Sequence, residues 1–391
     1  MRIALLSPLP PEQTGIADYA EHFRSSLSAL GVDVLTPLRG VSGADRLTQL
    51  SRFDWSQVQL VHAELGGGRL GEFEALDWLR RHHPQLPLTA TVHDPERLVW
   101  RRARLPWPLS WLERLPRPMP QICALLADPL TLYEERRLAR HLRRAVTLTD
   151  TGARCLSTRM GLLPGQAVSI RHGNLTLAPG ELPALDPLRL LYFGFIYRGK
   201  GIEDLLAALA QVFQRQPSLR GHLRLTLAGG TAPEMAFGPA GNYLDELRAL
   251  AQQLQLPDCL DWQLDLPAEA IASTIQAHHA MVLPYRESKK LGLLGAMRGT
   301  SGALSWANAC GRGVITSNAR AFAEEVSNGN GTTFEQGDIA ALADAIEVLA
   351  LHPQRAVEWA ERAAVIGLAR RWPTTAARFL ELFQSVCREN Q

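Results

Sequence analysis

A chain of 391 residues is too long for one hydrophobic core and suits two domains of ordinary size. Hydrophobic residues at 46% against 20% charged exclude wholesale disorder, and 41 basic against 39 acidic side chains (net +2) exclude a protein built chiefly to hold a nucleic-acid backbone. Five scattered cysteines, Cys123, Cys155, Cys259, Cys310 and Cys387, form no C-x-x-C pair, which argues against a disulfide framework or structural zinc and for a reducing compartment.

Arg2 to Ser7 is a short apolar run expected to form a buried parallel strand. Pro8 to Gly15 is a breaker-rich loop, and from Ile16 a helical period begins with Tyr19, Phe23, Leu27 and Leu30 on one face. Gly31 ends it, and Val32 to Leu35 reads as the next strand. Val58 to His62 is a strand, Phe73 to His82 a helix, and Leu88 to Val92 a strand ending at His93-Asp94-Pro95. Ala145 to Thr149 and Ala167 to Ile170 read as the last strands of this half. Leu175 to Pro187 holds three prolines and reads as the domain linker. The pattern then restarts. Strands are expected at Leu188 to Gly194, Leu223 to Gly230, Ala280 to Pro284 and Gly313 to Thr316, with helices at Ile202 to Phe213, Ile339 to Ala350 and Thr374 to Cys387. Strands alternating with helices imply two parallel, doubly wound sheets whose strand C-termini carry the ligand site. No apolar run reaches the ~20 residues of a membrane span, and Met1-Arg2-Ile3 runs directly into a strand, so a cytoplasmic protein is expected.

Several short strings carry chemistry. Thr14-Gly15 precedes a helix whose free N–H groups suit an anion, although an ordinary βα turn accounts for it equally well. His93 stands at a strand end, where a parallel sheet presents ligand-contacting residues. Lys200, in Gly194-Phe195-Ile196-Tyr197-Arg198-Gly199-Lys200-Gly201, is one of only three lysines in the chain, with Lys289 and Lys290. Gly299-Thr300-Ser301-Gly302-Ala303-Leu304 opens a further helix with small residues that let backbone amides face a phosphate or hydroxyl. No D-x-D, H-E-x-x-H or C-x-x-C motif is present, and no strand runs into G-x-G-x-x-G, which excludes a dinucleotide dehydrogenase of the usual kind. Residues 97–117 interleave Trp100, Trp107 and Trp111 with six arginines, and Arg136, Arg137, Arg140, Arg143 and Arg144 are read as crowding one short helix. That composition suits an anionic membrane surface, or equally a solvated arginine face.

The order of these elements resembles the retaining glycosyltransferases of the GT-B fold, family 4, over nearly the whole chain. The strings that carry the resemblance are Ser7 to Tyr19, Thr91 to Pro95, Gly194 to Leu206, Leu227 to Gly230, Gly299 to Asn318 and Arg371-Trp372-Pro373. The resemblance implies an α/β chain of two Rossmann-like doubly wound domains facing a central cleft. Residues 1–180 would be the acceptor side, 188–370 the nucleotide-sugar donor side, and 371–391 a C-terminal helix packing back on the N-terminal domain. It implies His93 and Lys200 in catalysis. Donor binding would fall to Gly15, Gly194, Arg198, Lys200, Gly229, Glu287, Arg298, Gly299, Thr300, Ser301 and Gly302, and acceptor binding to Asp18, Tyr19 and Asp94.

Two departures stand out against that family. Its usual arginine after the first glycine is Phe195 here, with Arg198 three residues on as a substitute cation. Its two glutamates, with seven residues between them, are Arg298 and Trp306 here, leaving sugar hydroxyls to Glu287, Asn308 or backbone. The expected activity is transfer of a hexose from a nucleotide sugar to a saccharide or lipid-linked saccharide in surface or exopolysaccharide synthesis, with no cofactor or essential metal. The expected partners are those substrates and, through residues 97–117, an anionic surface on the inner face of the cell membrane, with no nucleic acid. The alternative is a catalytically silent relative that partners or scaffolds another transferase.

Overall fold

The computed structural model describes residues 1–12, 14–66, 69–99, 115–116, 119–178, 180–230, 237–238, 241–287 and 296–390. Two compact units divide the chain. The first takes residues 1–173, 291–299 and 372–391, and the second takes 174–290 and 300–371.

The first unit runs β1 (Arg2–Leu6), α1 (Gly15–Ala29), β2 (Asp33–Leu35), α2 (Arg46–Arg52), β3 (Leu60–Leu65), α3 (Leu70–His82), β4 (Leu88–Val92), α4 (Met119–His141), β5 (Arg144–Thr147), α5 (Asp150–Met160) and β6 (Ala167–Ser169). Its strands pair in parallel in the order β2-β1-β3-β4-β5-β6. The order reverses between β1 and β3, which makes the loops after those strands the natural ligand-facing end. Ala4, Leu6, Val61, Ala63, Leu88 and Ala90 build the buried sheet core against Leu76 and Leu79 of α3.

The second unit runs β7 (Leu188–Phe193), α6 (Ile202–Arg215), β8 (Leu223–Gly229), the two-residue strands β9 (Phe237–Gly238) and β10 (Gly241–Asn242), α7 (Tyr243–Gln253), β11 (Leu260–Leu264), α8 (Ala268–Gln276) and β12 (Ala280–Leu283). It continues with α9 (Gly302–Ala309), β13 (Gly313–Ser317), α10 (Phe322–Val326), β14 (Gly331–Phe334), α11 (Ile339–Leu351) and α12 (Gln354–Ala369). Its sheet order is β11-β8-β7-β12-β13-β14, all parallel, and reverses between β7 and β12. Both halves are therefore doubly wound α/β sheets, as the alternating pattern predicts.

The last helix, α13 (Trp372–Glu389), groups with the first unit. Its buried Trp372, Phe379 and Phe383 meet Tyr19 and Phe23 of α1, with Phe23 and Phe379 ring centres 4.7 Å apart edge to face. Each such buried aromatic contributes on the order of 2–3 kcal/mol of transfer free energy.

Some expectations shift. The strand placed at Val58 to His62 lies at Leu60–Leu65, because the run continues through Glu64, whose charge hides a fully buried position. The arginines read onto one short helix divide: Arg136, Arg137 and Arg140 belong to the 23-residue α4, while Arg144 already opens β5, where the apolar Ala145 and Val146 enter the sheet. Strands β11 and β14 escape the sequence reading because they are the two edges of their sheet and only half buried. Residues 100–114 and 117, with most of the Trp/Arg interleaving, lie outside the described residues.

Candidate active site

In the second unit the sheet reversal between β7 and β12 brings two chain segments together. After β7 the chain turns through Gly194 and Lys200 to Gly201, whose φ of 69° is left-handed and whose Cβ, if present, would sit 1.7 Å from the Pro284 carbonyl oxygen. Only glycine fits there, and the close approach seats Lys200 beside Tyr285, two residues past β12. Lys200 is 9% exposed. Its ammonium lies 3.7 Å from the centre of the Tyr285 ring and 5.0 Å from that of Tyr197, with no carboxylate in ion-pair range among the described residues.

Tyr285 carries the contact onward. Its hydroxyl lies 3.2 Å from Ser301 Oγ, and Ser301 caps α9 by accepting from the Ala303 N–H. Burial alone would raise the Tyr285 phenol, but Lys200, the Ser301 hydroxyl and Arg320 pull it below its ordinary value. The Arg320 guanidinium stands 5.7 Å from the same ring and donates to the Thr300 carbonyl at 3.1 Å. A helix N-terminus, an ammonium and a guanidinium around one phenol make an electropositive cluster whose charge suits a phosphate or diphosphate.

Arg320 is a residue that sequence reasoning missed. Its φ of 57° is left-handed, a conformation arginine seldom adopts, and the Glu287 carboxylate holds it by accepting the Arg320 N–H at 2.5 Å. Glu287 thus anchors a loop. Arg198 does not fill the place left open by Phe195. It pairs with Glu246 of α7 at 2.5 Å and stacks over Tyr243 at 5.1 Å, because α7 puts an acid and an aromatic within reach. Gly194 and Gly229 lie back to back at the ends of β7 and β8, with Gly194 N–H donating to Ala228 O at 3.1 Å. Asn308 is a core residue, bonded to Asn330 at 3.2 Å and 1% exposed, and is withdrawn as a hydroxyl ligand. Trp306 packs on the apolar core against Phe193, with ring centres 6.3 Å apart.

In the first unit the ends of β3 and β4 carry the polar groups. His93 Nε2 lies 2.8 Å from Glu64 Oε2, and Glu64 has no exposed surface. Burial alone would raise that carboxyl, yet hydrogen bonds and charge from His62 and His93 bring it down to about 2. Asp94 is half buried beside Gly66. Gly15 opens α1 and Thr14 caps it, accepting from the Ala17 N–H at 3.1 Å, with Asp18 exposed in the first turn. Tyr19 corrects the reading of an acceptor ligand. It is 2% exposed and edge-on to His93, His172 and Trp372, because it lies on the apolar stripe of α1. Arg298 precedes α9 rather than sharing it with Trp306. Its N–H donates to Glu96 at 3.1 Å within the first unit, and its guanidinium turns back to the Met297 carbonyl at 2.7 Å.

Residues 178–365 match the family described as glycosyl transferases group 1. The D-inositol 3-phosphate glycosyltransferase of Pseudarthrobacter chlorophenolicus is 29% identical over 204 residues, covering 51% of this chain and 44% of that protein. The one from Kribbella flavida is 25% identical over 272 residues, 66% of this chain and 60% of that protein. The chain thus spans about half the length of the curated relatives it matches.

Among solved structures, a sucrose-phosphate synthase from Thermosynechococcus elongatus superposes with a TM-score of 0.66 at 19% identity over 99% of both chains. HepE from Anabaena in complex with UDP and glucose gives 0.67 at 15% identity, over 98% of this chain and 100% of that one. This likeness shows the GT-B fold.

Proposed function

From the match of residues 178–365 to the glycosyl transferases group 1, we propose that the chain is a retaining glycosyltransferase moving a hexose from a nucleotide sugar to a saccharide or lipid-linked saccharide in surface or exopolysaccharide synthesis. The observation that carries this reading is the buried Lys200 ammonium on Tyr285, beside the capped start of α9 and the Arg320 guanidinium. Two cations and a helix end match the charge of a nucleotide diphosphate, which grows as the sugar leaves. Arg320 stands in for the cation absent at Phe195. The departing phosphate oxygen then helps deprotonate the acceptor hydroxyl on the same face, so configuration is retained, and the protein supplies placement and charge. His93 is assigned to the sugar being moved. No metal or cofactor is given a part.

For the acceptor, we read the described part of α4 as support for an anionic lipid surface. Met119, Ile122, Leu125, Leu126, Leu130 and Tyr133 are all exposed on it, and Arg137 and Arg140 follow. Among the described residues no helix is long and apolar enough to cross a membrane, so the association would be peripheral.

Incubation with UDP-, GDP- and ADP-sugars tests the reading, read out as thermal stabilisation and as turnover. A ligand at 100 times its dissociation constant adds about 2.7 kcal/mol to stability. Turnover of one donor supports the transferase. Binding with no turnover under any acceptor would give the silent partner instead, and neither binding nor turnover would defeat both.

A further inference from the structure

A buried carboxylate in the first unit has no part in the reaction as read above. Glu64 sits on the central strand β3 with no exposed surface. One oxygen lies 2.8 Å from His93 Nε2, and the other lies 3.3 Å from His62 Nε2 and 3.4 Å from Thr91 Oγ1. Burying a carboxylate costs several kcal/mol unless its partners are fixed, so an apolar side chain would serve the core better. The partners here are fixed. His62 Nδ1 lies 2.9 Å from Thr89 Oγ1, and its Nε2 lies 3.0 Å from Thr91 Oγ1. The Tyr19 ring stands edge-on to His93 with centres 4.8 Å apart, and His93 N–H is tied to the Leu65 carbonyl at 2.8 Å.

An ionised carboxylate only accepts hydrogen bonds, so the His93 nitrogen facing it carries the proton. The other nitrogen, Nδ1, makes no hydrogen bond among the described residues. We propose that Glu64 is a positioning residue for the transfer, fixing His93 as the Nε2–H tautomer so that Nδ1 is the nitrogen left to accept from a substrate hydroxyl. This deepens the transferase reading and rests on its assignment of His93. The titratable groups facing Glu64 are His62 and His93, with Tyr19 nearby.

The test uses the full chain with Glu64→Gln and His93→Gln, and long-range proton–nitrogen NMR of the imidazole rings, in which the signal lost in His93→Gln identifies His93. Wild type should show the Nε2–H tautomer, and Glu64→Gln, whose amide can donate as well as accept, should populate Nδ1–H beside it. For transfer, Glu64→Gln should lose about tenfold or more in kcat with donor KM within about threefold, alongside the change in tautomer.

An unchanged His93 tautomer, or wild-type kcat, in Glu64→Gln would overturn the proposal. Should Glu64→Gln not fold, the wild-type tautomer decides: Nδ1–H overturns it and Nε2–H supports it. A His93→Gln protein with wild-type kcat/KM would overturn the assignment of His93 to the reaction, and a positioning role with it, whatever the tautomer. An inactive His93→Gln with an unshifted tautomer in Glu64→Gln would overturn the role of Glu64 alone.

Discussion

The Lys200 ammonium lies 3.7 Å from the centre of the Tyr285 ring, so the segments that follow β7 and β12, the two strands flanking the sheet reversal of the second unit, are joined by a cation–π contact. The ring screens the ammonium from water but cannot neutralise it, and Tyr285 itself is 3% exposed. An anion arriving there meets a charge already desolvated and already placed.

Lys200→Ala should therefore lose about 10²–10³-fold in kcat/KM for the nucleotide sugar, the scale of one electrostatic contact to a leaving group. Its thermal midpoint should move little, since no carboxylate partner is stranded among the described residues. Steady-state kinetics beside a melting curve checks both halves, and an unchanged kcat/KM would remove Lys200 from the site.

Arg320 offers a sharper separation of stability from function. A non-glycine residue at a φ of 57° carries about 1–2 kcal/mol of backbone strain, so Arg320→Gly should keep or raise the thermal midpoint. The same change removes a cation from the Tyr285 ring and should weaken nucleoside-diphosphate binding about tenfold by calorimetric titration. A drop in stability with full affinity would mean that the strained loop serves the fold rather than the phosphate.

How legible all this was varied with burial. Central strands such as β1 and β7 show as apolar runs because both faces are covered, whereas the edge strands β11 and β14 need apolar residues on part of their surface only. Lys200 stands out in the sequence by its local string and its rarity. Arg320 does not, because its place depends on a left-handed backbone held by Glu287, a residue 33 positions away. Arg198 misled for the converse reason: its partner Glu246 lies on a helix 48 positions on, and no local pattern announces that pairing. Glu64 was hidden by its own charge.

Glu64 also predicts an acid sensitivity. Its folded value of about 2 lies below the ordinary 4.5, so its contribution to stability is complete above about pH 4.5 and fades as pH falls toward 2. The contribution is on the order of 3 kcal/mol. Denaturant unfolding from pH 6 down to 2.5 should show the wild type losing stability more steeply than Glu64→Gln, whose amide does not titrate. Parallel curves would show that the histidine contacts do not favour the ionised form.

The lipid reading makes its own demand on α4. Leu126 is 76% exposed and Leu130 is 55% exposed, so Leu126→Ser with Leu130→Ser should leave folding intact. The double variant should lose about tenfold or more in binding to phosphatidylglycerol-containing vesicles, given ~1.5–3 kcal/mol for each leucine taken from water. Cosedimentation in low and high salt measures it. Equal binding of the wild type to neutral and anionic vesicles would defeat the electrostatic part, and unchanged binding of the variant the apolar part.

Gly299 tests whether the loop before α9 works through the end of β4. A Cβ at this position would lie 2.6 Å from the His93 carbonyl oxygen and 3.6 Å from Asp94 Oδ1. Neither side can yield easily. The carbonyl belongs to a residue whose N–H is bonded to Leu65 and whose ring is bonded to Glu64, while the next residue toward the N-terminus, Arg298, is bonded through its own N–H to Glu96. Gly299→Ala should therefore displace the loop or the strand end by a few tenths of an ångström to an ångström, and a shift of 1 Å near reacting groups costs about 10²-fold in rate. The expected result is kcat/KM down at least tenfold with a modest fall in thermal midpoint. Gly221→Ala, whose Cβ would meet nothing within 4 Å, is the matched control and should leave both unchanged. If Gly299→Ala transfers sugar at the wild-type rate, the contact between this loop and His93 is packing alone, and His93 does not depend on it for its position.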